Sequence, residues 1–521
     1  MWYIACVALP RILLFYCPTR PDPVLGQAPD PRGLIVIDLD TFFKCKKILI
    51  TGLGMTGISA ASMLMGFGGK VLALHNDVNL DREDIYKRIV KNSTPEMKNS
   101  GRYLEIIIDS CTNDDISLLE GIELIISSPG IPGDIALFEE AFKKDIPIWD
   151  ELELAWSLMG PGQKKNTIAV TGTNGKTTVV NLINKIFSDS KISSIACGNV
   201  GLPLLDTLEL SSDRVVLDDD IMRVIEVSSF QLERTKTFKP HIGVLLNITS
   251  DHLDRHGSLS NYRKLKFDLF SNQDSDDTAV LNIDDRFVEK NIHDLEKDME
   301  HPQLIRFGLN SSPEHNFRYD GSSIFFDFEG YTGSIDTGGT LLRGKHNISN
   351  IIASMIPALL AGVSPGSIER SVKDYKALDH RIEYLGVLSG IRCFNDSKST
   401  NPDSTIAALQ DFEKEVTLIL GGKDKDMDFL MLAEMIELKV NDLILIGQAA
   451  SKINGLLGPL SGNYKIHLSG SLEEAVELSF KITKPGGVLL LSPACASMDM
   501  FKDYKDRGDR FKKLVLSLGK I

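Results

Sequence analysis

At 521 residues the chain is too long for one ordinary domain and has room for about three. A formal charge of −14, with 25% charged residues, argues against a broad nucleic-acid footprint, which needs a basic face, but leaves local Lys and Arg clusters free to meet a polyanionic small molecule. The seven scattered cysteines form no CxxC pair, which argues against a disulfide scaffold or a zinc site and fits reduced thiols in a cytoplasm.

Residues 1–45 open on an apolar stretch from Trp2 to Tyr16, interrupted at Pro10-Arg11 and followed by a Pro-rich run from Pro18 to Pro31. It has no basic n-region and falls short of the roughly 18 apolar residues of a membrane span, so it reads as a disordered N-terminal extension. The first folded unit is expected over 46–150. Lys47-Ile48-Leu49-Ile50 has a strand pattern, Gly52-Leu53-Gly54-Met55-Thr56-Gly57 is a G-x-G-x-x-G turn, Ile58–Leu64 a small-residue helix and Val71–Leu74 a second strand, which together make a βαβ unit. The turn alone points to a dinucleotide, yet His75-Asn76-Asp77 stands where a clear acid would end the second strand. Leu124-Ile125-Ile126 then runs into Ser127-Ser128-Pro129-Gly130, a polar turn at the strand end where open α/β sheets bind ligands.

The second unit, 151–378, carries the strongest signal. A strand over 166–170 leads into Thr171-Gly172-Thr173-Asn174-Gly175-Lys176-Thr177-Thr178 and a helix from Val179 to Phe187. Such a loop turns successive backbone N–H groups toward phosphate oxygens, with Lys176 reaching the β/γ-phosphates and the Thr177 hydroxyl binding Mg²⁺. Val170 stands where the usual phosphate-loop pattern begins with Gly. Glu226 follows the strand Val224-Ile225; alone it reads as a surface acid or a metal ligand, and the phosphate loop favours the ligand. Asp251-His252-Leu253-Asp254-Arg255-His256 is either a solvated loop or a site for Mg²⁺ or a charged substrate, and Lys266 by itself passes for one charge on an amphipathic helix.

The third unit, 379–521, has strand signals at 417–420, 442–446 and 488–491. Asn395–Asn401, Gly421-Gly422-Lys423-Asp424-Lys425 and Ser492–Ser497 each follow a strand; singly each is as well read as a turn, together they suggest a ligand face. All three units alternate strand and helix. The expected fold class is therefore α/β with three domains: N-terminal Rossmann-like, central P-loop ATPase with a mainly parallel sheet, and C-terminal Rossmann-like.

With these segments in hand the chain resembles the Mur ligase family. The match rests on Thr171–Thr178, Glu226–Glu233, Asn247–Arg255, Gly344-Lys345-His346-Asn347, His380-Arg381, Asn395–Asn401 and Ser492–Tyr504, and it leaves only the first 45 or so residues outside. The phosphate loop and the Asp-His pair are shared with folylpolyglutamate synthases; Ser-Ser-Phe-Gln-Leu-Glu, Asn-Asp-Ser-Lys-x-Thr-Asn and Ser-Pro-Ala-Cys-Ala-Ser mark the D-glutamate-adding branch. The resemblance implies an ATP-dependent amide ligase of peptidoglycan synthesis, using ATP and Mg²⁺ to add D-glutamate to UDP-N-acetylmuramoyl-L-alanine through an acyl phosphate. The protein would be a cytoplasmic monomer with small-molecule substrates and neither a nucleic-acid partner nor a membrane span. Another Mur-type ligase or a folylpolyglutamate synthase is the nearest alternative; a P-loop ATPase that forms no bond would leave the third-unit segments without a purpose.

The resemblance also implies roles. Met55, Thr56, Ser128, Pro129, Gly130, Asn199 and Gly201 would bind the UDP-sugar. Gly172, Thr173, Asn174, Gly175, Lys176, Thr177, Thr178, Asn282, Arg381 and Asp396 would bind ATP. Thr177 and Glu226 would hold one Mg²⁺, with His252 and a carbamylated Lys266 holding a second; the carbamate replaces a repelling cation by an oxygen ligand. Lys398, Thr400, Lys425, Ser497 and Tyr504 would hold D-glutamate, and Lys176, His252, Lys266 and Lys398 would carry the catalysis. Two departures stand out: Tyr504 where the pattern has Phe, and Ser250 where an acid commonly precedes Asp251.

Overall fold

The structure is a computed structural model and describes residues 3–5, 12–16, 34–38, 43, 46–75, 81–91, 104–109, 114–199, 201–211, 214–216, 219–249, 253–295, 301–309, 316–328, 330–340, 342, 344–375, 379–425 and 427–518. Within 1–45, expected to be disordered, three short strands (Tyr3–Ala5, Ile12–Tyr16 and Leu34–Asp38) pair antiparallel. Composition favours it: Ile12, Phe15, Tyr16, Ile35, Val36 and Ile37 are β-branched or aromatic residues, the types enriched in strands. No helix among the described residues is long and apolar enough to cross a membrane.

The first unit is a five-stranded sheet of β1 (Lys47–Thr51), β2 (Lys70–His75), β3 (Leu104–Ile108), β4 (Leu124–Ser127) and β5 (Ile148–Trp149), in the order β3-β2-β1-β4-β5 and parallel throughout. Helix α1 (Met55–Gly66) starts three residues earlier than the apolar pattern suggests, because Gly54 serves as its N-cap. A Cβ at Gly57 would run into the Gly52 carbonyl, so the last glycine of the turn is required by close packing whether or not a nucleotide binds.

The second unit has six parallel strands, β6 (Thr167–Thr171), β7 (Ser194–Gly198), β8 (Met222–Glu226), β9 (Ile242–Leu245), β10 (Thr278–Asn282) and β11 (Gln303–Phe307), in the order β7-β8-β6-β9-β10-β11. The central strands are apolar without alternation because helices cover both faces. One cover is α2 (Lys176–Asp189), another α3 (Leu259–Phe267), and α4 (Lys345–Leu360) packs beside α2. Phe317–Tyr319, Ser323–Phe328 and Tyr331–Asp336 form a separate antiparallel sheet absent from the sequence reading; Ile324, Phe326 and Phe328 alternate inward to the core beneath α4.

In the third unit β15 (Glu383–Leu388), β16 (Ile391–Asn395), β17 (Val416–Gly421), β18 (Val440–Ile446), β19 (Lys465–Leu468) and β20 (Val488–Leu491) run in the order β15-β16-β20-β17-β18-β19, where β12 to β14 are the three antiparallel strands just described. Only the pair β15–β16 is antiparallel. Strand periodicity sends Leu418 and Leu420 to one core and Ile419 to the other. The first two units, by contrast, share a core: Ile48 and Ile126 belong to the same buried cluster as Ala169, Ile225 and Leu245, joined through the fully buried helix Glu151–Leu158. The third unit has cores of its own.

Candidate active site

The central strand β6 is a switch point: its neighbours β8 and β9 lie on opposite sides, so the loops after all three converge at their C-terminal ends. Register does the rest. Glu226 pairs with Val170 on one side and Gly198 on the other, which sets its carboxylate at the root of the 171–178 loop. The loop closes on Gly175, the N-cap of α2, at φ +89°; a side chain there would also collide with the Asn350 amide.

The loop's backbone is held in place before any ligand arrives. Asn247, just after β9, accepts from the Asn174 N–H (2.8 Å) and donates to the Asn174 carbonyl (3.1 Å). The Thr173 hydroxyl lies 3.0 Å from the Tyr262 hydroxyl and donates to the Thr249 carbonyl at 3.1 Å. The Lys176 ammonium folds over the loop and donates to the carbonyls of Gly172 (2.7 Å) and Thr173 (2.9 Å). Lys266 is not a surface charge on an amphipathic helix: it is 1% exposed, donates to the Gly172 carbonyl at 3.0 Å and lies 4.7 Å from the Tyr262 ring centroid.

These groups line a cavity of about 1050 Å³ between the second and third units. Its central-unit wall includes Thr173, Asn174, Gly175, Lys176, Thr177, Thr178, Asn199, Glu226, Lys266 and Asn282; the third unit contributes Arg381, Asp396, Lys398 and Thr400. Gly172 serves through its carbonyl, as above. Asn282 donates to the Leu246 carbonyl at 2.8 Å and to the Ser349 hydroxyl at 3.3 Å. The structure also brings in residues for which sequence reasoning assigned no role: Asn347, Asn350 and His346 from the start of α4, Tyr375, and Ser404. Burial pushes the His346 imidazole down to about 4, so it is neutral, and its Nδ1 has no hydrogen-bond partner among the described residues. The Gly344–Asn347 stretch was visible in sequence but carried no chemical signal by itself.

Glu226 offers a place a divalent cation fits. Glu226 is 2% exposed; its Oε1 accepts from Asn199 Nδ2 at 3.0 Å, while its Oε2 is buried with no hydrogen-bond partner among the described residues. A buried carboxylate oxygen left unpaired is costly without a cation, and the Thr177 hydroxyl lines the same cavity. Among the described residues no three His, Cys, Asp or Glu side chains form a group that could hold a metal. His252 and Asp251 lie outside the described residues.

Other expected residues sit apart from this cavity. Met55 is 62% exposed at the start of α1, and the Thr56 and Ser128 hydroxyls lie 3.4 Å apart with Pro129 and Gly130 beside them. His75 fills the place of a ribose-binding acid and accepts from the Leu53 N–H at 3.0 Å. Gly201 is exposed at φ +84°. Lys425, Ser497 and Tyr504 do not line the cavity, although Tyr504 touches it indirectly: the Lys398 ammonium stands 4.0 Å over its ring. Burial, and after it the Arg381 guanidinium, push Lys398 down to about 8. Burial raises Asp396 to about 6 against hydrogen bonds from Ser399 (2.5 Å) and Ser492 (2.8 Å).

Arg507, on helix α6 (Tyr504–Leu518; α5, Pro402–Gln410, precedes it), ties these third-unit loops together. It is fully buried and donates to the Ser397 hydroxyl (2.9 Å), the Ser397 carbonyl (2.8 Å) and the Cys495 carbonyl (3.0 Å). Arg507→Leu strands those acceptors, so chemical denaturation is expected to show a loss of about 3 kcal/mol. An unchanged unfolding midpoint would rule out this bracing role.

Two family models match the chain: the Mur ligase middle domain over residues 170–358, and the Mur ligase, glutamate ligase domain over 380–495. The UDP-N-acetylmuramoylalanine–D-glutamate ligase of Citrifermentans bemidjiense is 37% identical over 91% of this chain and 98% of its own length. The enzyme of the same name from Caldicellulosiruptor saccharolyticus is 36% identical over 91% and 99%. Among solved structures, the UDP-N-acetylmuramate-alanine ligase of Thermotoga maritima matches with a TM-score of 0.54 at 17% identity, covering 90% of this chain and 99% of that one. A MurF structure from Acinetobacter baumannii matches at 0.56 and 15% identity, covering 87% and 91%. These likenesses are of fold.

Proposed function

This chain belongs to the Mur ligase family, and from that premise we propose that it joins D-glutamate to UDP-N-acetylmuramoyl-L-alanine at the expense of ATP, as a step of peptidoglycan synthesis. The observation that carries this is the single cavity in which the phosphate loop, Glu226 and the Lys398 loop meet. We place the work in the cytoplasm, where ATP and the nucleotide sugar are available, with the protein acting as a monomer.

A carboxylate is a poor electrophile, because an attacking amine would have to expel oxide; phosphorylation supplies a leaving group. The loop N–H groups and Lys176 hold the triphosphate and offset charge as the terminal phosphoryl is transferred to the alanyl carboxylate. Thr177 and Glu226 would hold Mg²⁺, which when bound neutralises phosphate charge. Asn282, Arg381 and Asp396 complete the nucleotide site, and Met55, Thr56, Ser128, Pro129, Gly130, Asn199 and Gly201 bind the UDP-sugar. The acceptor's carboxylates are met by Lys398, Thr400, Lys425, Ser497 and Tyr504. Its amine attacks the acyl phosphate, and the tetrahedral intermediate loses phosphate. Docking of the third unit excludes water that would hydrolyse the acyl phosphate. A carbamylated Lys266, with His252, would add a second cation site, and intact-mass measurement of the native protein reads the carbamate directly.

The test is phosphate release by purified protein given ATP, Mg²⁺ and UDP-N-acetylmuramoyl-L-alanine across a panel of amino acids. Release with D-glutamate alone, carrying label from the carboxylate oxygen, is the expected result. Release indifferent to the amino acid, or without label, would refute it.

The lowered Lys398 group adds a pH signature. Its charge is full below about pH 8 and is lost as pH rises through that value. The KM for D-glutamate is therefore expected to rise about tenfold per pH unit above 8, and Lys398→Met should flatten that limb. A wild-type KM constant from pH 7 to pH 9.5 would contradict the assignment.

A further inference from the structure

The third unit reaches the phosphate loop through a side chain that the reaction scheme leaves unused. Ser404 is the third residue of α5, whose N-cap, Asn401, accepts from the Ser404 N–H at 2.9 Å. The Ser404 hydroxyl lies 2.7 Å from Asn401 Oδ1 and donates at 2.7 Å to Asn174 Oδ1, on the phosphate loop 230 residues away. Asn174 is thereby gripped from two units. Asn247 fixes its peptide on both edges from the central unit, as described above, and Ser404 fixes its side chain from the third.

The consequence follows from the chemistry of an amide. With Oδ1 accepting from Ser404, Nδ2 is the end of the Asn174 amide left to donate; Asn174 lines the cavity, and a donor is what a phosphate oxygen requires. Without the third unit nothing described here orients that side chain, since Asn247 holds only the backbone. The segment leading into α5 is Lys398–Asn401, the loop assigned above to the acceptor, so α5 and that loop are continuous in the chain.

Resting on the ligase reading, we propose that Ser404 is a positioning residue: arriving with the third unit, its hydroxyl sets the Asn174 amide for phosphoryl transfer, so that the phosphate loop is fully armed only when the acceptor loop is docked. Binding of ATP to the central unit alone does not need the contact. Turnover does.

The experiment is a double-mutant cycle on the full chain, with Ser404→Ala and Asn174→Ala singly and together. D-glutamate-dependent phosphate release is read at saturating substrates, and ATP affinity is measured without acceptor. Ser404→Ala is expected to lower kcat about tenfold, the scale of one lost hydrogen bond at the reacting centre, with ATP affinity within about threefold of wild type. In the Asn174→Ala background the same change should cost less than about twofold, because its partner is gone. A role of Ser404 confined to its own helix would carry an equal penalty in both backgrounds, and that result overturns the proposal. So does a Ser404→Ala enzyme that turns over as wild type. Wild-type protein with no D-glutamate-dependent phosphate release would sink the ligase reading and this inference with it; an active wild type beside an indifferent variant sinks the inference alone.

Discussion

Lys176→Ala is expected to lower ligation by about 10³-fold or more while leaving the thermal unfolding midpoint unchanged. Both halves follow from where the ammonium sits. It donates to carbonyls of its own loop, at 2.7 Å to Gly172 and 2.9 Å to Thr173. The loop's shape comes instead from the Asn247 clamp, the Thr173–Tyr262 contact and the left-handed Gly175. What the variant loses is a preorganised positive charge, aimed where phosphoryl transfer concentrates negative charge. Steady-state kinetics with a calorimetric scan checks it, and a variant keeping wild-type kcat would remove the loop from the reaction.

Glu226→Gln is the second large effect. The carboxylate is buried, one oxygen accepts from Asn199, and the other is buried with no hydrogen-bond partner among the described residues. The amide keeps the size and the hydrogen bond to Asn199 but forfeits the charge that draws a hard cation. Turnover at about 1 mM Mg²⁺ should fall about 10²-fold, with the half-saturating Mg²⁺ concentration displaced upward, and the fold should persist because the amide keeps the shape and the bond to Asn199. A Mg²⁺ titration that superimposes on wild type would move the metal elsewhere.

Much of the fold was legible because its signals are local. The apolar runs 417–420 and 442–446 became β17 and β18, and the Gly-rich loop ending in Lys176 sat between β6 and α2 where strand and helix patterns met. The small antiparallel sheet over 317–336 was not, since its short strands alternate too briefly to stand out from loop. The leading segment was read as disorder because Pro-rich stretches dominate it, although its two apolar runs pair as strands.

The candidate site divides along the same line. By itself the sequence determined the Gly-rich 171–178 loop between strand and helix, the strand-end position of Glu226 and the polar loops of the third unit, because each is a short pattern set by neighbours in the chain. Only the tertiary structure decided that Glu226 holds an unpaired oxygen, that Lys266 is buried against Gly172, that Arg507 braces two loops and that Ser404 touches Asn174. Those facts depend on strand register and on how separate units dock. Burial and partner are set by residues tens to hundreds of positions away, which no local pattern carries.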